Sequence, residues 1–263
     1  MSRGRFHILE ATKQGYAFTM RHASYLARAA LLPIIVDALT AFYVKTVHPD
    51  AGNIEEFLWL FPSGVTIGWF MFIQTRLMLL GERLDRLPRH DTAYLQDRVS
   101  CMRASIIISL LFGMLTTLFT AFMVWATQAN PDGKNTLLMA ASMMSIGAMF
   151  WGLRFGVAHI VAAAGYPLKK FIFTVNGIEF SLRLVGLTLA VALPIMFAFQ
   201  MLSGIIVTAD QDIGTVQTAV FTAIISIVSV LMAAILNAAA TFALKEVLGK
   251  DTSLKRDTTA KKV

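Results

Sequence analysis

Ionisable side chains inside long apolar runs are the residues of this sequence best suited to chemistry. Asp37, Arg76 and Arg154 each lie in such a run. A charged group in hydrocarbon is costly, so it usually marks an ion pathway or binds lipid phosphate or helix carbonyls. Asp37, the one acid deep in an apolar run, is the transport candidate, as a coupling or pore residue. It lies about twelve residues, or roughly 18 Å, from the inner start of its run, too far outward for an ion pair with Arg154.

Basic residues near the inner ends of the runs predict lipid binding. The side chains of Arg76 and Arg154 are long enough to reach the interface from within their runs. There a guanidinium can bind a lipid phosphate or the carbonyls at the end of a helix. Together with the basic residues that follow Arg154, they form the predicted lipid-binding set: Arg76, Arg154, Lys169, Lys170 and Arg183.

Two polar groups suggest catalysis or metal binding, but neither has the required pattern. His48 lies among three carboxylates of one short loop, in a spacing that matches no zinc site and that a solvated loop explains. His90 and Asp91 are adjacent but have no nucleophile or third partner to orient them. We therefore predict no catalytic residue, no metal and no cofactor, and a protein that is not an enzyme.

Six apolar runs must position these side chains. The composition, 56% hydrophobic and 15% charged, with a mean hydropathy of +0.65, is typical of a membrane protein. About 20 apolar residues in a helix cross the roughly 30 Å hydrocarbon layer. The runs are Tyr25–Val44, Phe57–Leu80, Ala104–Ala126, Leu137–Ala164, Leu184–Val207 and Ala219–Leu244. The predicted fold class is all-α, a polytopic membrane protein with six transmembrane helices in three hairpins and amphipathic helices at the cytoplasmic interface.

The placement of Lys and Arg predicts the orientation in the membrane. Basic residues are dense before the first run, between the second and third, between the fourth and fifth, and after the sixth. The opposite connections contain only Lys45 and Lys134. Because basic loops stay on the cytoplasmic side, both termini are predicted to be cytoplasmic, in a bacterial inner membrane. The net charge of +7 reflects this asymmetry and does not indicate nucleic-acid binding.

The chain divides into three predicted segments. Residues 1–23 place apolar side chains at helical spacing, with Lys13 on another face, which indicates an amphipathic segment on an anionic surface. A cap packed on the bundle is the alternative. Residues 24–244 form the transmembrane domain, and residues 245–263 form a basic, flexible cytoplasmic tail.

Small and polar residues inside the runs predict helix packing. Gly64 and Gly68 in the second run, and Gly152 and Gly156 in the fourth, have the four-residue spacing that allows two helices to approach closely. Asn237 in the sixth run is expected to form a hydrogen bond with a neighbouring helix.

The run LRFGVAHIVAAAGYPLKKFIFTVNGIEFSLRLVGLTL resembles a pattern in YciC-like bacterial six-helix inner-membrane proteins and in the membrane domain of some glycerophosphodiester phosphodiesterases. The matching positions are Arg154, Pro167, Phe171–Phe180 and Arg183. This chain departs from the pattern at His159 and has no phosphodiesterase domain. The resemblance implies a six-helix fold and not that enzyme activity.

Two functions remain open. The leading hypothesis is a non-enzymatic bacterial inner-membrane protein that organises lipid or a membrane protein complex through cytoplasmic amphipathic segments. Its expected partners are membrane lipids, anionic ones in particular, and a protein complex or further copies of the chain, without nucleic acid. The alternative is a small transporter or channel subunit with Asp37 as its coupling or pore residue.

Overall fold

A computed structural model describes residues 6–48, 52–87, 91–128, 136–174, 178–206 and 215–250. Within these ranges the regular structure is entirely helical, so the prediction of an all-α chain is confirmed for them. The helices are α1 (Ile8–Arg21), α2 (Ala23–Val47), α3 (Asn53–Trp59), α4 (Phe61–Leu80), α5 (Thr92–Gln128), α6 (Thr136–Ala163), α7 (Leu168–Thr174), α8 (Ile178–Ile206) and α9 (Thr215–Lys250). A single 3-10 turn, Leu84–Arg86, lies between α4 and α5.

Five helices in the described ranges are long and apolar enough to cross a membrane: α2, α4, α5, α8 and α9. The chain is therefore a membrane-embedded protein by helix length and composition. The fourth predicted run falls in α6, whose fully described apolar part, Gly152–Ala163, is shorter. The arrangement as six spans in three hairpins stays a prediction.

Helix α9 is the central element of the bundle. It packs against α1, α2, α4 and α8, and its alanine-rich face is buried, with Ala238, Ala239 and Ala243 fully enclosed. Small side chains allow neighbouring backbones to approach closely. Helix α1 approaches α9 closely at Gly15, where an added Cβ atom would lie 2.7 Å from the Cβ of Ala239.

The connections predicted to be cytoplasmic meet at one end of the bundle. The backbone N–H of Leu84, just after α4, donates to the hydroxyl of Tyr25 at the start of α2, at 3.2 Å. Arg76, near the end of α4, donates to the carbonyl of Ala163 at the end of α6, at 3.0 Å. We call this the basic end, defined by the start of α2 and the ends of α4 and α6.

Aromatic contacts join the helices at the opposite end. The rings of Tyr43 and His48 pack on Trp59, with centroids 5.3 and 5.0 Å from that ring. The ammonium of Lys45 lies 5.6 Å from the ring centroid of Phe221. The end of α2 therefore lies beside α3 and the start of α9.

Helix α1 has one packed face and one exposed face. Phe6, Ala11 and Gly15 are buried in the main core with residues of α8 and α9, and the Tyr16 hydroxyl donates to the carbonyl of Val191 at 3.1 Å. Leu9, on the outer face, is 81% exposed. The inner face thus forms the packed cap that the sequence left as an alternative.

Two predicted boundaries differ from the helices observed. The third apolar run was expected to start at Ala104, but α5 begins at Thr92 and continues for 37 residues. Such a helix is about 55 Å long and must extend beyond the hydrocarbon layer of roughly 30 Å. Helix α9 continues to Lys250 with Val247 buried, so part of the predicted tail is packed helix. The remainder of the tail, residues 251–263, lies outside the described residues.

Candidate functional site

A cluster of charged side chains is buried at the basic end. The carboxylate of Glu82 accepts a hydrogen bond from Arg76 Nε at 2.5 Å, from Arg98 Nε at 2.5 Å and from the Tyr94 hydroxyl at 2.6 Å. The side chains of Arg76 and Glu82 are only 3% and 8% exposed. We call these four residues the Glu82 cluster.

The end of α4 determines where Glu82 lies. Gly81 ends the helix with φ of +66°, in the left-handed region that glycine adopts readily. The chain therefore turns back, and the N–H of Glu82 donates to the carbonyl of Arg76 at 3.3 Å. Arg76 also donates to the last carbonyl of α6, at Ala163. The cluster consequently ties the ends of α4 and α6 to the start of α5.

The cluster keeps Glu82 ionised and retains positive charge. Burial alone would raise the pKa of Glu82, but hydrogen bonds from Tyr94, Arg98 and Arg76 outweigh burial and hold this pKa below its ordinary value. Two guanidiniums and one carboxylate leave one positive charge. Both guanidiniums also lie over Phe72, with their carbon atoms 5.6 and 5.2 Å from the ring centroid, which places the excess charge against a π face.

A second group of polar side chains lies deeper in the bundle. Asn237 of α9 donates to the side-chain oxygen of Gln74 at 2.9 Å, and Gln74 donates to the carbonyl of Ala234 at 2.8 Å. The Nε2 atom of His159 lies 2.9 Å from the Asn237 side-chain oxygen. Thr75 completes the group, within 3.3 Å of Asn237. We call these side chains, Gln74, Thr75, His159 and Asn237, the amide network.

The amide network links three helices. Gln74 and Thr75 belong to α4, His159 to α6 and Asn237 to α9, and all four are buried. A buried polar group without a partner is strongly disfavoured, so these bonds favour one relative placement of the helices. Asn237, predicted to bond with one neighbouring helix, bonds with side chains of two.

The structure places the predicted lipid-binding residues in different surroundings. Arg76 is enclosed in the Glu82 cluster, where it binds a helix-end carbonyl, one of the two ligands expected for it. Arg154 is buried, and its Nε donates to the hydroxyl of Ser181 at 2.7 Å, which joins α6 to α8. These two arginines therefore contact protein groups rather than forming one surface.

The remaining members of the set lie after α6. Arg183 pairs with Glu179 at 3.0 Å and donates to the carbonyl of Phe6, while its side chain stays 29% exposed. Lys169 is exposed. The side chain of Lys170 lies outside the described part of the structure. Among the members whose side chains the structure describes, Arg183 and Lys169 are thus the ones that a ligand outside the protein can reach.

Asp37 lies on α2 and contacts the start of α4. Its carboxylate accepts a hydrogen bond from the hydroxyl of Ser63, which is buried. Arg154 instead contacts the start of α8 through Ser181. The hydrogen bonds of the two charged residues therefore go to different partners.

The predicted packing glycines share one neighbour, α5. An added Cβ atom at Gly68 would lie 3.5 Å from the Cα of Ile106, and one at Gly156 would lie 3.2 Å from the ring of Phe112. The four glycines that face α5 are Gly64, Gly68, Gly152 and Gly156. Their spacing lets both α4 and α6 pack closely on this helix.

His48, at the start of the loop considered for metal binding, takes part in aromatic packing. His48 stacks on Trp59, and its Nδ1 lies 3.9 Å from a carboxylate oxygen of Glu55. Across the described ranges, no three His, Cys, Asp or Glu side chains come together as a metal site. Asp50 of this loop lies outside those ranges.

Sequence reasoning did not identify the Glu82 cluster. Glu82 follows an apolar run directly, after a glycine, and Arg76 lies six residues before it. These neighbours were visible in the sequence, whereas Arg98 comes from the next helix, 16 residues away from Glu82. The available signal was an acid directly after a run that ends in glycine.

Comparison with known proteins identifies no similar protein. No protein-family model, curated protein or solved structure matches this chain. The resemblance to YciC-like proteins therefore stays a prediction.

Proposed function

We propose that this chain is a non-enzymatic bacterial inner-membrane protein that organises lipid or a membrane protein complex at its basic end, through α1 and α7. In the proposed orientation α6 is a sixth span and both termini are cytoplasmic. The observation that supports this most directly is the outer face of α1. Leu9 and Met20 are 81% and 75% exposed there, beside the exposed cations Lys13 and Arg21.

The outer face of α1 suits an anionic membrane surface. Large apolar side chains exposed to water are unfavourable, whereas at the interface they enter the acyl boundary while cations meet lipid headgroups. Each basic residue near an anionic leaflet contributes about 1 kcal/mol. Because the inner face of α1 is packed on α8 and α9, lipid bound to the outer face is held at a fixed place on the bundle.

Helix α7 adds to the same end. Phe171 is buried and contacts Phe180 with ring centroids 6.4 Å apart, and Phe180 contacts Phe6 at 6.0 Å. Lys169 and Ile172 of α7 remain exposed. The segments before α2 and after α6 thus pack on one aromatic cluster, and each exposes an apolar residue beside a cation.

The lipid part of the proposal is tested with the whole protein in bilayers that contain spin-labelled phosphatidylglycerol or phosphatidylcholine. We expect the protein to immobilise phosphatidylglycerol preferentially. In the double variant Lys13→Gln, Arg21→Gln, this preference should fall by a factor of about five for each cation removed. Lys45→Gln, at the opposite end, is the control and should keep the preference. Equal immobilisation of both lipids by the unaltered protein would reject the lipid role.

The protein-complex part is tested by isolation in mild detergent. A partner that co-purifies in fixed stoichiometry, and that is lost in the double variant Leu9→Ser, Met20→Ser, would support an organising role. The exposed residue Leu193 on α8 offers a matched control, since Leu193→Ser changes an apolar surface residue away from α1.

The transporter or channel hypothesis has one observation in its favour. The carboxylate of Asp37 lies within a candidate span and is hydrogen-bonded by Ser63, so a polar pair is maintained among apolar residues. Proteoliposomes loaded with a pH-sensitive dye separate the two proposals. A proton or ion flux that Asp37→Asn abolishes and Ser63→Ala reduces would favour transport, whereas the organising role requires no such flux.

A further inference from the structure

An apolar cavity lies among the helices close to the basic end. Its volume is ≈ 170 Å³, and α4, α5, α6, α8 and α9 all contribute to its walls. The larger side chains that line it include Phe112, Leu153, Leu184, Leu187 and Leu236. Several of the lining residues are only half-buried, among them Leu153, Thr188 and Leu236, so the cavity is not sealed from outside the bundle.

The polar residues in the cavity wall are already hydrogen-bonded. The Ser109 hydroxyl donates to the carbonyl of Ser105 at 3.0 Å, and Thr188 donates to the carbonyl of Leu184 at 2.9 Å. His159 and Asn237 bond with each other in the amide network. A buried water needs two to four polar partners, so these walls favour an apolar occupant over water.

The size of the cavity limits what can fill it. An apolar cavity of about 150 Å³ accepts a molecule of the size of benzene, which corresponds to about six carbons of an extended chain. The cavity here is slightly larger, at ≈ 170 Å³. It therefore accommodates a segment of one acyl chain and is too small for a whole lipid.

The position of the cavity favours a phospholipid as the source of that chain. Leu184, the first wall residue of α8, directly follows Arg183 at the basic end, and Thr188 lies five residues beyond Arg183. Five residues of helix correspond to about 7.5 Å along its axis. A lipid whose phosphate lies level with Arg183 and Lys169 would have the first carbons of its chains at the depth of the cavity.

We propose that this cavity binds the upper segment of one phospholipid acyl chain, with the phosphate left outside at the basic end. The cavity is then a specific lipid site, distinct from the general attraction of α1 for an anionic surface. The identity of the headgroup rests on the proposed function, whereas binding of the chain depends on the cavity alone.

The test uses the delipidated full-length protein in detergent with one equivalent of phosphatidylglycerol that carries a photoreactive diazirine in the upper part of one acyl chain. After irradiation, we expect peptide mapping to place the label on cavity residues such as Leu187 and Leu236. Ala233→Leu should reduce this labelling at least fivefold, because Ala233 lines the cavity. Ala219→Leu makes the same change at an exposed position of α9 and should leave the labelling intact.

A second pair of variants protects the test against misfolding. If Ala233→Leu lowers the thermal midpoint below that of Ala219→Leu, Thr188→Leu fills the cavity from α8, with the exposed Ala198→Leu as its control. Labelling that neither filling variant reduces, or that falls outside the cavity walls, overturns the proposal. Equal labelling by a diazirine fatty acid in place of the phospholipid overturns its assignment to a phospholipid.

Failure of this site and failure of the proposed function give different results. If cavity labelling is found but bilayers show no preference for phosphatidylglycerol, the cavity stands and the lipid role of α1 is rejected. If the preference is found and filling the cavity has no effect on labelling, α1 retains its role and the cavity site is rejected.

Discussion

At Glu82, a single carboxylate accepts hydrogen bonds from three side chains that come from two different helices. Arg76 could not remain buried near the end of α4 without a negative partner, because an uncompensated charge in a low-dielectric interior is strongly unfavourable. Glu82 is that partner, and the carbonyl of Ala163 satisfies a further guanidinium N–H. The burial of Arg76 at the basic end thus depends on the carboxylate of Glu82.

Replacing this acid tests its importance directly. Glu82→Gln leaves two guanidiniums beside a neutral amide, and we expect the free energy of unfolding to fall by about 3 to 5 kcal/mol, as when one partner of a buried ion pair is removed. The thermal midpoint in detergent measures the effect. Asp85→Asn is the matched control, because Asp85 pairs with Arg83 at 3.1 Å on the exposed surface and should contribute little. Equal shifts in both variants would contradict the assigned role.

The pH dependence of stability follows from the same carboxylate. Because folding lowers the pKa of Glu82, its stabilising contribution is fully present above the ordinary glutamate pKa of about 4.3 and is lost as the pH falls through the lower folded-state pKa. We expect the thermal midpoint of the unaltered protein to decrease on acidification below about pH 4.3. In Glu82→Gln, the part of this decrease that comes from protonation of Glu82 should be absent. If the thermal midpoint of the variant decreases at low pH as much as that of the unaltered protein, the decrease comes from other groups.

At the scale of elements, α1 and α9 show how backbone proximity decides the position of a helix. Gly15 faces α9 so closely that a Cβ atom added to it would lie 2.9 Å from the backbone nitrogen of Ala239 and 2.9 Å from the carbonyl oxygen of Ile235. Backbone atoms in the middle of α9 cannot move aside as a flexible side chain can. A glycine at this position is therefore required for α1 to pack where it does.

Gly15→Ala is expected to displace α1 from α9 and to loosen this helix, so that trypsin cleaves faster after Lys13 and Arg21, whose side chains are already exposed. The measurement is the rate of cleavage at these residues in the folded protein, together with the thermal midpoint. Gly147→Ala provides the control, because an added Cβ atom there meets nothing within 4 Å. That control should stabilise its helix by about 0.5 to 1 kcal/mol through helix propensity. Unchanged cleavage in Gly15→Ala would show that the contact is not required.

For the whole molecule, the arrangement of charge determines how the bundle is oriented. The start of α2 and the ends of α4 and α6 lie at the basic end, and the Tyr43, His48 and Trp59 rings lie at the other. A membrane retains basic loops on its cytoplasmic side, so the two ends experience different driving forces during insertion. The orientation is thus expected to depend on how the basic residues are distributed over all the connections.

Topology mapping tests this orientation. We expect a reporter fused at the C-terminus to be active in the cytoplasm, Arg89 to be accessible from the inside and Lys134 from the outside. Both residues lie beyond the described ranges, so the measurement is independent of the structure. A C-terminal reporter active only outside, or one misplaced loop, would mean that the number of spans differs from six.

The sequence alone was sufficient to predict helices, their approximate number and the clustering of basic connections, because apolar transfer and charge placement depend on local composition. Run lengths identified α2, α4, α5, α8 and α9 as candidate spans. Helix α5 begins before its apolar run and α9 ends after its own, since polar residues can continue a helix outside the membrane. The glycines with four-residue spacing lie where an added Cβ atom would meet atoms of α5.

Only the tertiary structure decided which polar groups meet. His159 and Asn237 are separated by 78 residues, and Arg76 and the carbonyl of Ala163 by 87. Such pairs depend on helix rotation and on which helices are neighbours, and a hydropathy pattern determines neither. The same holds for the cavity, because its walls come from five helices whose close packing leaves a gap that no single segment encodes.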